Sequence, residues 1–352
     1  CVAFARQFAA AALRDLWSMR SAVAQQAAGL DLFYFPSVYT YFPVPPRVPV
    51  LVTIHDTIPE RFPHLTFSSP RTRLMWTLKT RYAVRQATKA GRPGAIATVS
   101  ETAKRAIVAH FGVSPDRVVV IPDAAGREFR PLPRDGASTE VLHRYGIAGE
   151  GRFILYVGGL SPHKNLPALL EAFAALVANG AWPDVQLVLV GDYTGDAFLS
   201  GYDALRRAAA VPALQGRVRF TGFVPDEDLV HIYNAAAALA LPSFDEGFGL
   251  PAVEAMACGT PVVASRAGAL PEVVNEAALL FEPASPRELQ ACLEEVLGND
   301  RVRAALRERG LQRASEFTWE RSTTIALNVF EAFMREGKGD FERGNDGIRA
   351  VA

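Results

Sequence analysis

The sequence is poor in cysteine and in long apolar runs, and it carries no excess of charge of either sign. Its 352 residues include three cysteines, which are widely spaced and odd in number. A disulfide framework or a zinc site would need cysteines at short paired spacings, so a reducing compartment is favoured instead. Lysine plus arginine equals aspartate plus glutamate, 37 against 37, and this balance does not favour nucleic acid as a partner.

No apolar run reaches the roughly 18 residues of a membrane span. The opening segment CVAFARQFAAAALRDLW is interrupted by charged residues, unlike a signal peptide. No basic amphipathic stretch argues for binding at a membrane surface. These absences predict a cytoplasmic protein. The chain does not begin with methionine, and its first half opens without a strand and a Gly-rich turn, so we expect its N-terminal domain to be truncated.

Apolar runs of strand length alternate with helical periodicity along most of the chain. Ten such runs are predicted strands: 31–35, 48–54, 95–100, 117–122, 152–158, 185–191, 217–222, 236–242, 260–265 and 277–283. Solid apolar runs separated by helices are typical of parallel strands buried on both faces. The predicted fold class is therefore α/β, doubly wound.

A segment rich in proline, glycine and charge, 127–152, is predicted to connect two Rossmann-like domains, with a short helix near 138–145. We place an incomplete N-terminal domain at 1–134 and a C-terminal domain at 135–316. The remaining region, 317–352, is predicted to form a helix followed by a tail.

The stretch SFDEGFGLPAVE follows the carboxyl end of a predicted strand, where open α/β sheets bind ligands. Pro251 stands where the next helix should begin. We expect the main-chain N–H groups ahead of this helix to be unbonded and to suit a phosphate; they belong to Gly247, Phe248, Gly249 and Leu250.

Two carboxylates flank this Gly-rich loop. We expect Glu254 in the first turn of the helix, where it could accept two hydrogen bonds from a ribose diol. Glu246 lies before the glycines, on the side where the sugar of a sugar nucleotide would be. The alternative is that both acids only interact favourably with the positive end of the helix dipole.

A second candidate loop is YVGGLSPHKN, in which a strand ends at Gly158 and Gly159. A helix is predicted to open after Asn165, its N-cap, and Lys164 just before it could meet a diphosphate as a point charge. His163 is a weaker candidate. The alternative for Lys164 is an ordinary solvated side chain.

Two further stretches carry weaker signals. In TIHDTIP, His55 and Asp56 follow a predicted strand, and the aspartate could fix the histidine tautomer, bind a hydroxyl or simply cap a helix. In RFTGFVPDEDL, the turn at Phe223 and Val224 could present backbone groups and an aromatic face to a nucleobase. The alternative is that Phe223 belongs to the core.

Taken together, these stretches resemble the retaining glycosyltransferases of family 4, whose second domain carries a motif of Glu, seven residues, Glu. Here the motif is EGFGLPAVE, from Glu246 to Glu254. The segments VLVGDY, ATVSETAKRAI and VIPDA are also similar, in the right order, from about residue 30 to about residue 330. The resemblance implies the GT-B fold, two Rossmann-like domains facing across a cleft, with the last helix crossing back to the first domain.

The resemblance also implies roles. Glu254 would bind the donor ribose, Glu246 would contact the transferred sugar, and Lys164 with the amides of Gly247 to Leu250 would hold the diphosphate. His55 would act near the reacting sugar, with Asp56 on the acceptor side. The leaving diphosphate itself would take the acceptor proton, and neither a metal nor another cofactor is expected.

One departure from the family pattern affects the diphosphate. Many members carry an arginine five residues before the lysine, and Gly159 occupies that position here. In a subgroup the second cation stands beside the lysine, where this chain has His163. Neutralisation of the diphosphate would then depend on a protonated His163.

The sequence therefore predicts a retaining transferase that moves a hexose, mannose from GDP-mannose, to a glycan or lipid-linked acceptor. A UDP-sugar donor and a non-catalytic nucleotide-sugar-binding protein are the alternatives. An oxidoreductase is disfavoured because neither half contains the Gly-x-Gly-x-x-Gly turn that it would need. A lipid-linked acceptor would place the protein peripherally at the inner face of the membrane.

Overall fold

The computed structural model describes residues 29–336 except 91–93, 134–135, 149–151 and 193–198, together with Val23 and Gln25. These residues form two compact units, each with its own sheet. The first unit contains the described residues up to Asp123 and again from Trp319, and the second contains those of 124–318.

The first unit is built on a four-stranded sheet in the order β1-β2-β3-β4, with every neighbouring pair parallel. Its strands are β1 (Phe33–Phe35), β2 (Val50–Thr53), β3 (Gly94–Thr98) and β4 (Val118–Val120). All four lie within or overlap the predicted runs, which confirms the α/β prediction for this half. β2 and β3 are buried along their whole length, as a two-sided parallel sheet requires.

Four helices follow these strands: α1 (Ile58–Arg61), α2 (Pro63–Thr66), α3 (Pro70–Thr88) and α4 (Glu101–Phe111). Serine side chains start the two long ones. Ser69 Oγ accepts a hydrogen bond from the N–H of Thr72, and Ser100 Oγ accepts one from the N–H of Ala103. Trp76 of α3 joins a buried cluster with valines of β2, and this cluster covers one face of the sheet.

The second unit contains a six-stranded parallel sheet in the order β10-β9-β8-β5-β6-β7. Its strands are β5 (Phe153–Val157), β6 (Gln186–Val190), β7 (Val218–Gly222), β8 (Ala238–Leu241), β9 (Val262–Ser265) and β10 (Ala278–Phe281). From β5 the chain builds the sheet outward through β6 and β7, and then returns to place β8 on the other side of β5. The strand order therefore reverses between β5 and β8, which is the point where doubly wound sheets bind their ligands.

Eight helices belong to this unit: α5 (Gly136–Arg144), α6 (Leu166–Ala178), α7 (Tyr202–Ala209), α8 (Asp226–Ala235), α9 (Leu250–Cys258), α10 (Leu270–Val274), α11 (Pro286–Gly298) and α12 (Asp300–Ala314). Of these, α6 to α10 connect strands, α5 precedes β5, and α11 and α12 follow β10. Helix α6 buries the predicted apolar stripe, including Leu169, Leu170 and Phe173. The short helix predicted near 138–145 is α5.

The last helix, α13 (Trp319–Glu336), returns to the first unit. Ser322 Oγ donates a hydrogen bond of 2.5 Å to the carbonyl oxygen of Pro122. Val329 and Phe333 are buried against the second face of the first sheet, beside Leu51 of β2. Both faces of that sheet are therefore covered, and the return of the last helix to the first domain agrees with what the family resemblance implies.

The boundary between the units lies earlier than the sequence prediction placed it, at 123 instead of 134. The intervening residues pack on α8 of the second unit. The ring of Phe129 meets Tyr233 edge-on with 5.7 Å between centroids, and the N–H of Leu132 donates to Asn234 Oδ1 at 2.8 Å. The Pro-rich composition of this segment marks a connection but does not show which unit it binds.

Candidate active site

The reversal of strand order places the loop after β5 next to the loop after β8, because the two strands are hydrogen-bonded neighbours. These are the two loops that carry the strongest sequence signals. Across them, Lys164 Nζ lies 2.7 Å from Oε1 and 2.9 Å from Oε2 of Glu246. The two predicted catalytic residues of the second unit are therefore in direct contact.

The carboxylate of Glu246 is held in place from several sides, with only 12% of its side chain exposed. Ser243 Oγ donates to its Oε1 at 2.7 Å. Burial acts to raise the pKa of Glu246, but Lys164 and the Ser243 hydrogen bond outweigh burial, so this pKa lies below its usual value. Glu246 is therefore an ionised carboxylate at neutral pH.

The backbone of Glu246 is also fixed, by the turn that precedes α10. Its carbonyl oxygen accepts a hydrogen bond of 2.9 Å from the N–H of Ala269. Gly268 in that turn has a φ of +56°, and a Cβ at this position would overlap the main-chain nitrogen of Glu246. Only glycine permits this approach.

Asn165 joins three loops of the site and does not cap α6 with its side chain. It stands at the N-cap position with a φ of +56°, but its side chain accepts no cap hydrogen bond. Instead, Asn165 Nδ2 donates to the carbonyl oxygens of Pro242 at 3.1 Å and Pro283 at 2.8 Å. The sequence prediction of an N-cap was wrong about this side chain, because its partners lie far along the chain after β8 and β10.

Gly158 and Gly159 form the turn directly after β5. The hydroxyl of Tyr156, a fully buried residue, donates to the carbonyl oxygen of Gly159 at 2.7 Å. This contact fixes the turn from inside the sheet. Beyond the turn, the carbonyl oxygen of His163 accepts a hydrogen bond of 2.9 Å from the N–H of Phe244, which ties the two loops together.

Helix α9 starts as the sequence predicts, with Pro251 in its first turn and Gly249 as N-cap at a φ of +93°. In the described part of the chain, the N–H groups of Phe248, Gly249 and Leu250 donate no hydrogen bond. Gly247, the fourth predicted residue, already makes an interaction of its own. Three N–H groups at a helix N-terminus form an arrangement suited to an anion such as a phosphate.

The ring of Phe248 does not face a ligand. It is buried and meets Phe317 edge-on, with 5.4 Å between the ring centroids. The Phe248 side chain therefore anchors the Gly-rich loop, and only its main chain is left to bind a donor.

Glu254 lies in the second turn of α9 and not in the first, because the helix begins at Leu250. This placement weakens the alternative in which Glu254 only interacts with the helix dipole, an effect confined to the first turn. Its Oε2 accepts a hydrogen bond of 2.7 Å from the hydroxyl of Tyr233, a fully buried residue of α8. Burial raises the pKa of Glu254 to about 7, although the Tyr233 hydrogen bond acts in the opposite direction.

Without ligand, His163 does not provide the second positive charge that the family comparison suggested. Burial, together with the neighbouring Lys164, lowers its pKa to about 4, so the ring is neutral at neutral pH. Its Nδ1 is buried and has no hydrogen-bond partner among the described residues. In the ligand-free protein Lys164 is therefore the charged side chain of this loop, and a protonated His163 beside the donor stays a prediction.

Phe223 and Val224 differ in exposure. The ring of Phe223 is 73% exposed, which contradicts the alternative that it belongs to the core, whereas Val224 is buried. Both follow β7, which is three strands from β8 in the sheet and therefore about 14 Å away. They are not in the Lys164–Glu246 cluster, and a role in binding a nucleobase stays a prediction.

His55 and Asp56 lie in the first unit, after β2, and His55 is exposed. Asp56 Oδ1 accepts a hydrogen bond of 2.8 Å from the N–H of Ile58, but the N-cap of α1 is Thr57, so Asp56 is not the N-cap that the alternative predicts. Asp123, after β4, is a second acid near His55: burial raises the pKa of Asp123 and the charge of His55 acts to lower it. These contacts do not test the predicted roles of His55 near the reacting sugar and of Asp56 on the acceptor side.

The sequence prediction missed three residues that support the site, namely Ser243, Tyr233 and Tyr156. Ser243 is part of the motif loop, and its three-residue spacing from Glu246 is a signal that could have been used. Nothing in the sequence marked the two tyrosines as site residues, because a tyrosine among apolar residues is expected simply to pack in the core. In the described residues no group of His, Cys, Asp and Glu is placed to hold a metal ion, and the predicted independence of metals stays a prediction.

Two family models match the chain. The model described as Glycosyl transferases group 1 matches residues 138–313, and the model described as Glycosyltransferase Family 4 matches residues 2–125. The first match contains Lys164, Glu246 and Glu254.

Curated proteins with similar sequences are also named as glycosyltransferases. The chain is 36% identical to the O-antigen chain mannosyltransferase B of Escherichia coli over 67% of this chain and 60% of that protein. It is 31% identical to a D-inositol 3-phosphate glycosyltransferase of Corynebacterium efficiens over 69% of this chain and 58% of that protein. The matched region thus spans less than two thirds of the length of either relative.

Solved structures share the fold. The Anabaena protein HepE, determined in complex with UDP-glucose, superposes with a TM-score of 0.71 and 24% identity, over 92% of this chain and 84% of that one. At this level of identity the similarity concerns the fold alone.

Proposed function

Since the chain belongs to the glycosyl transferases group 1 family, we propose that it transfers a hexose from a nucleoside diphosphate to a glycan or a lipid-linked saccharide. The observation that carries the proposal is the contact between Lys164 and Glu246 beside the three unbonded N–H groups of α9. The cation and the helix N-terminus suit a negatively charged diphosphate. The carboxylate suits the hydroxyl groups of the attached sugar, which can donate hydrogen bonds to it.

We place the donor diphosphate between Lys164 and the N–H groups of Phe248, Gly249 and Leu250. Glu254 lies further along α9, on the side of the ribose, and its carboxylate would accept hydrogen bonds from the two ribose hydroxyls. Tyr233 already occupies Oε2 of Glu254, so Oε1 is the oxygen that is left to bind the diol. Glu246 would accept hydrogen bonds from hydroxyl groups of the transferred sugar.

Donor binding would rearrange the Lys164–Glu246 pair. Without ligand, both carboxylate oxygens of Glu246 are within 2.9 Å of Nζ. A diphosphate with negative charge on both groups competes for this ammonium. Lys164 would then turn to the phosphate oxygens, and Glu246 would gain a free oxygen for the sugar. His163 is neutral, and its buried Nδ1 has no hydrogen-bond partner among the residues that the structure describes, so it could donate or accept one further hydrogen bond there.

The proposed reaction retains the configuration of the sugar. The acceptor hydroxyl approaches the anomeric carbon on the face from which the diphosphate leaves. The bond from the anomeric carbon to the phosphate oxygen breaks, a new bond to the acceptor oxygen forms, and the acceptor proton passes to the leaving phosphate oxygen. Lys164 and the N–H groups of α9 stabilise the charge that develops on the diphosphate.

Mannose from GDP-mannose is the donor that we favour, because the relative with 36% identity is named a mannosyltransferase. A UDP-sugar is the second candidate. A non-catalytic nucleotide-sugar-binding protein is a third, and it is supported by Gly159 in place of a second cation. His55 is proposed to act near the reacting sugar and the acceptor, and Asp56 on the acceptor side.

The test is a screen of the full-length protein against GDP-mannose, UDP-glucose and other nucleoside diphosphate sugars, with release of the free nucleotide as the readout. Hydrolysis or transfer with GDP-mannose alone would support the favoured donor, and turnover with a UDP-sugar would replace it. Binding measured by calorimetry without nucleotide release for any donor, in the presence of glycan and lipid-linked acceptors, would favour the non-catalytic alternative. Lys164→Met provides the matched inactive control.

A further inference from the structure

Helix α3 exposes a surface that the proposed transfer reaction does not use. Its inner face is buried against the first sheet through Trp76, Thr80, Ala83, Val84 and Ala87. Its outer face carries three large apolar side chains, Leu74, Leu78 and Tyr82, which are 58%, 57% and 41% exposed. Their four-residue spacing puts them in one row along the helix. Single exposed leucines are common, but such a row is not explained by folding.

The same face is strongly basic. Five exposed cations lie along the helix: Arg71, Arg73, Arg81, Arg85 and Lys89. All of them except Arg73 are on the same side of the helix as the apolar row. No aspartate or glutamate occurs between residues 70 and 89. The side chains of these five cations form no ion pair with any other residue that the structure describes. This face therefore combines unneutralised positive charge with exposed aliphatic surface over the length of the helix, about 28 Å.

We propose that α3 binds a membrane surface that contains anionic lipids. A bilayer interface offers anionic headgroups for the cations and, a few ångströms deeper, acyl chains for the leucines. Nucleic acid would satisfy the cations, but it stacks on aromatic rings and would leave Leu74 and Leu78 in water. The helix would lie in the plane of the interface, and none of the described helices is long and apolar enough to cross a bilayer.

The sequence prediction, which found no basic amphipathic stretch, did not identify α3. It failed because the inner face of α3 is poor in large apolar residues, being made mostly of alanine and threonine, while the large apolar residues lie on both faces. The usual contrast between an apolar face and a polar face is absent from the sequence. Packing against the sheet shows which apolar residues are left outside. The proposal concerns a surface of the first unit and does not depend on which sugar is transferred.

The experiment is co-sedimentation of the full chain with vesicles of phosphatidylcholine alone and of phosphatidylcholine with about one third phosphatidylglycerol. We expect binding to the anionic vesicles only, and loss of binding as salt is raised. Arg71→Gln with Arg85→Gln should weaken binding about fivefold for each arginine removed. Leu74→Ser with Leu78→Ser should weaken it by about tenfold or more.

Matched controls come from exposed positions elsewhere. Leu327→Ser changes a leucine of α13 that is 52% exposed, and Arg206→Gln with Arg207→Gln removes two exposed arginines of α7. Both should leave vesicle binding unchanged. A second measurement uses Leu78→Trp, whose fluorescence should be quenched by brominated acyl chains if the residue enters the interface.

The proposal would be overturned by equal binding of all variants, by lack of quenching at Leu78→Trp, or by absence of binding to anionic vesicles. Binding of single-stranded RNA that is lost in the arginine variant, without vesicle binding, would show a nucleic-acid surface instead. A stable complex of the chain with itself that is lost in the leucine variant, without vesicle binding, would show a protein interface.

Discussion

Lys164 and Glu246 form a two-point ion pair although 82 residues separate them in the sequence. One comes from the loop after β5 and the other from the loop after β8. In the proposed reaction, the first binds the diphosphate and the second binds the sugar. Their contact means that neither partner is free before the donor arrives, so the two halves of the donor site are coupled.

We predict that Glu246→Gln lowers kcat by about ten- to a hundredfold, the effect of losing a charged hydrogen bond to the reacting sugar. Donor affinity should be unchanged or higher, because the substitution releases Lys164 for the diphosphate. Steady-state kinetics and calorimetry measure the two effects separately. Glu282→Gln, which removes an exposed acid paired with Arg266, is the control and should change neither. An unaltered kcat for Glu246→Gln would refute a role at the sugar.

Glu254 should reduce stability at alkaline pH. Its pKa is about 7 in the folded protein against 4.5 ordinarily, so the folded state holds an extra proton between these values. The free energy of unfolding should therefore fall as pH rises from about 4.5 to 7. Glu254→Gln has no proton to lose and should be more stable than the parent by about 1 to 3 kcal/mol at pH 8, and nearly equal to it at pH 4.5. Urea unfolding at the two pH values tests this, and a gap that is the same at both would contradict it.

Donor binding should strengthen as pH rises, whereas stability falls. The reason is that the ionised carboxylate of Glu254 is the form that accepts hydrogen bonds from the ribose. We expect Glu254→Ala to weaken donor binding by about 1 to 3 kcal/mol. Affinity of the parent should fall as pH drops below 7. Tyr233→Phe removes a hydrogen bond that lowers the pKa of Glu254, so it should move this pH dependence to higher pH. Calorimetry from pH 6 to 8 provides the measurement. Unchanged affinity in Glu254→Ala would place the ribose elsewhere.

His163 should remain neutral through the physiological range. Its pKa of about 4 predicts that the ring resonances, measured by NMR in the ligand-free protein, do not shift between pH 8 and pH 5.5. His163→Gln identifies the resonances by their loss. A midpoint between pH 6 and 7 would show that the ring is solvated, and would restore it as a second cation for the diphosphate.

Gly159→Arg should supply the cation that the chain lacks. Gly159 does not have a positive φ, and the nearest atom to an added Cβ is Ser161 Oγ at 3.9 Å, so a side chain fits. We expect about five- to tenfold tighter donor binding from a charge-assisted contact with the diphosphate. Gly159→Gln controls for side-chain size. If the arginine variant binds no more tightly than the glutamine variant, the diphosphate does not lie near this turn.

Much of the fold was predictable from local patterns. All ten predicted strands are present, because strands buried on both faces are continuous apolar runs that can be recognised without knowing their neighbours. The start of α9 was predicted for a similar reason. Pro251 and Gly249 restrict the backbone through their own covalent structure.

Predictions that depended on long-range neighbours failed. The side chain of Asn165 was expected to cap its own helix, but it bonds to two loops that come 77 and 118 residues later. The local sequence likewise gave no sign that burial lowers the pKa of His163. Burial and hydrogen-bond partners of this kind come from several segments of the chain, so a single segment cannot reveal them.

By itself, the sequence determined the order of strands and helices, the two Gly-rich loops and the acids and lysine that they carry. These features follow from side-chain periodicity and backbone restrictions within a few residues. Only the tertiary structure decided that β5 and β8 are neighbours, that Lys164 therefore meets Glu246, and that the row from Leu74 to Tyr82 is left outside. Strand pairing and burial join residues far apart in the chain, and desolvation then sets which of them carry charge.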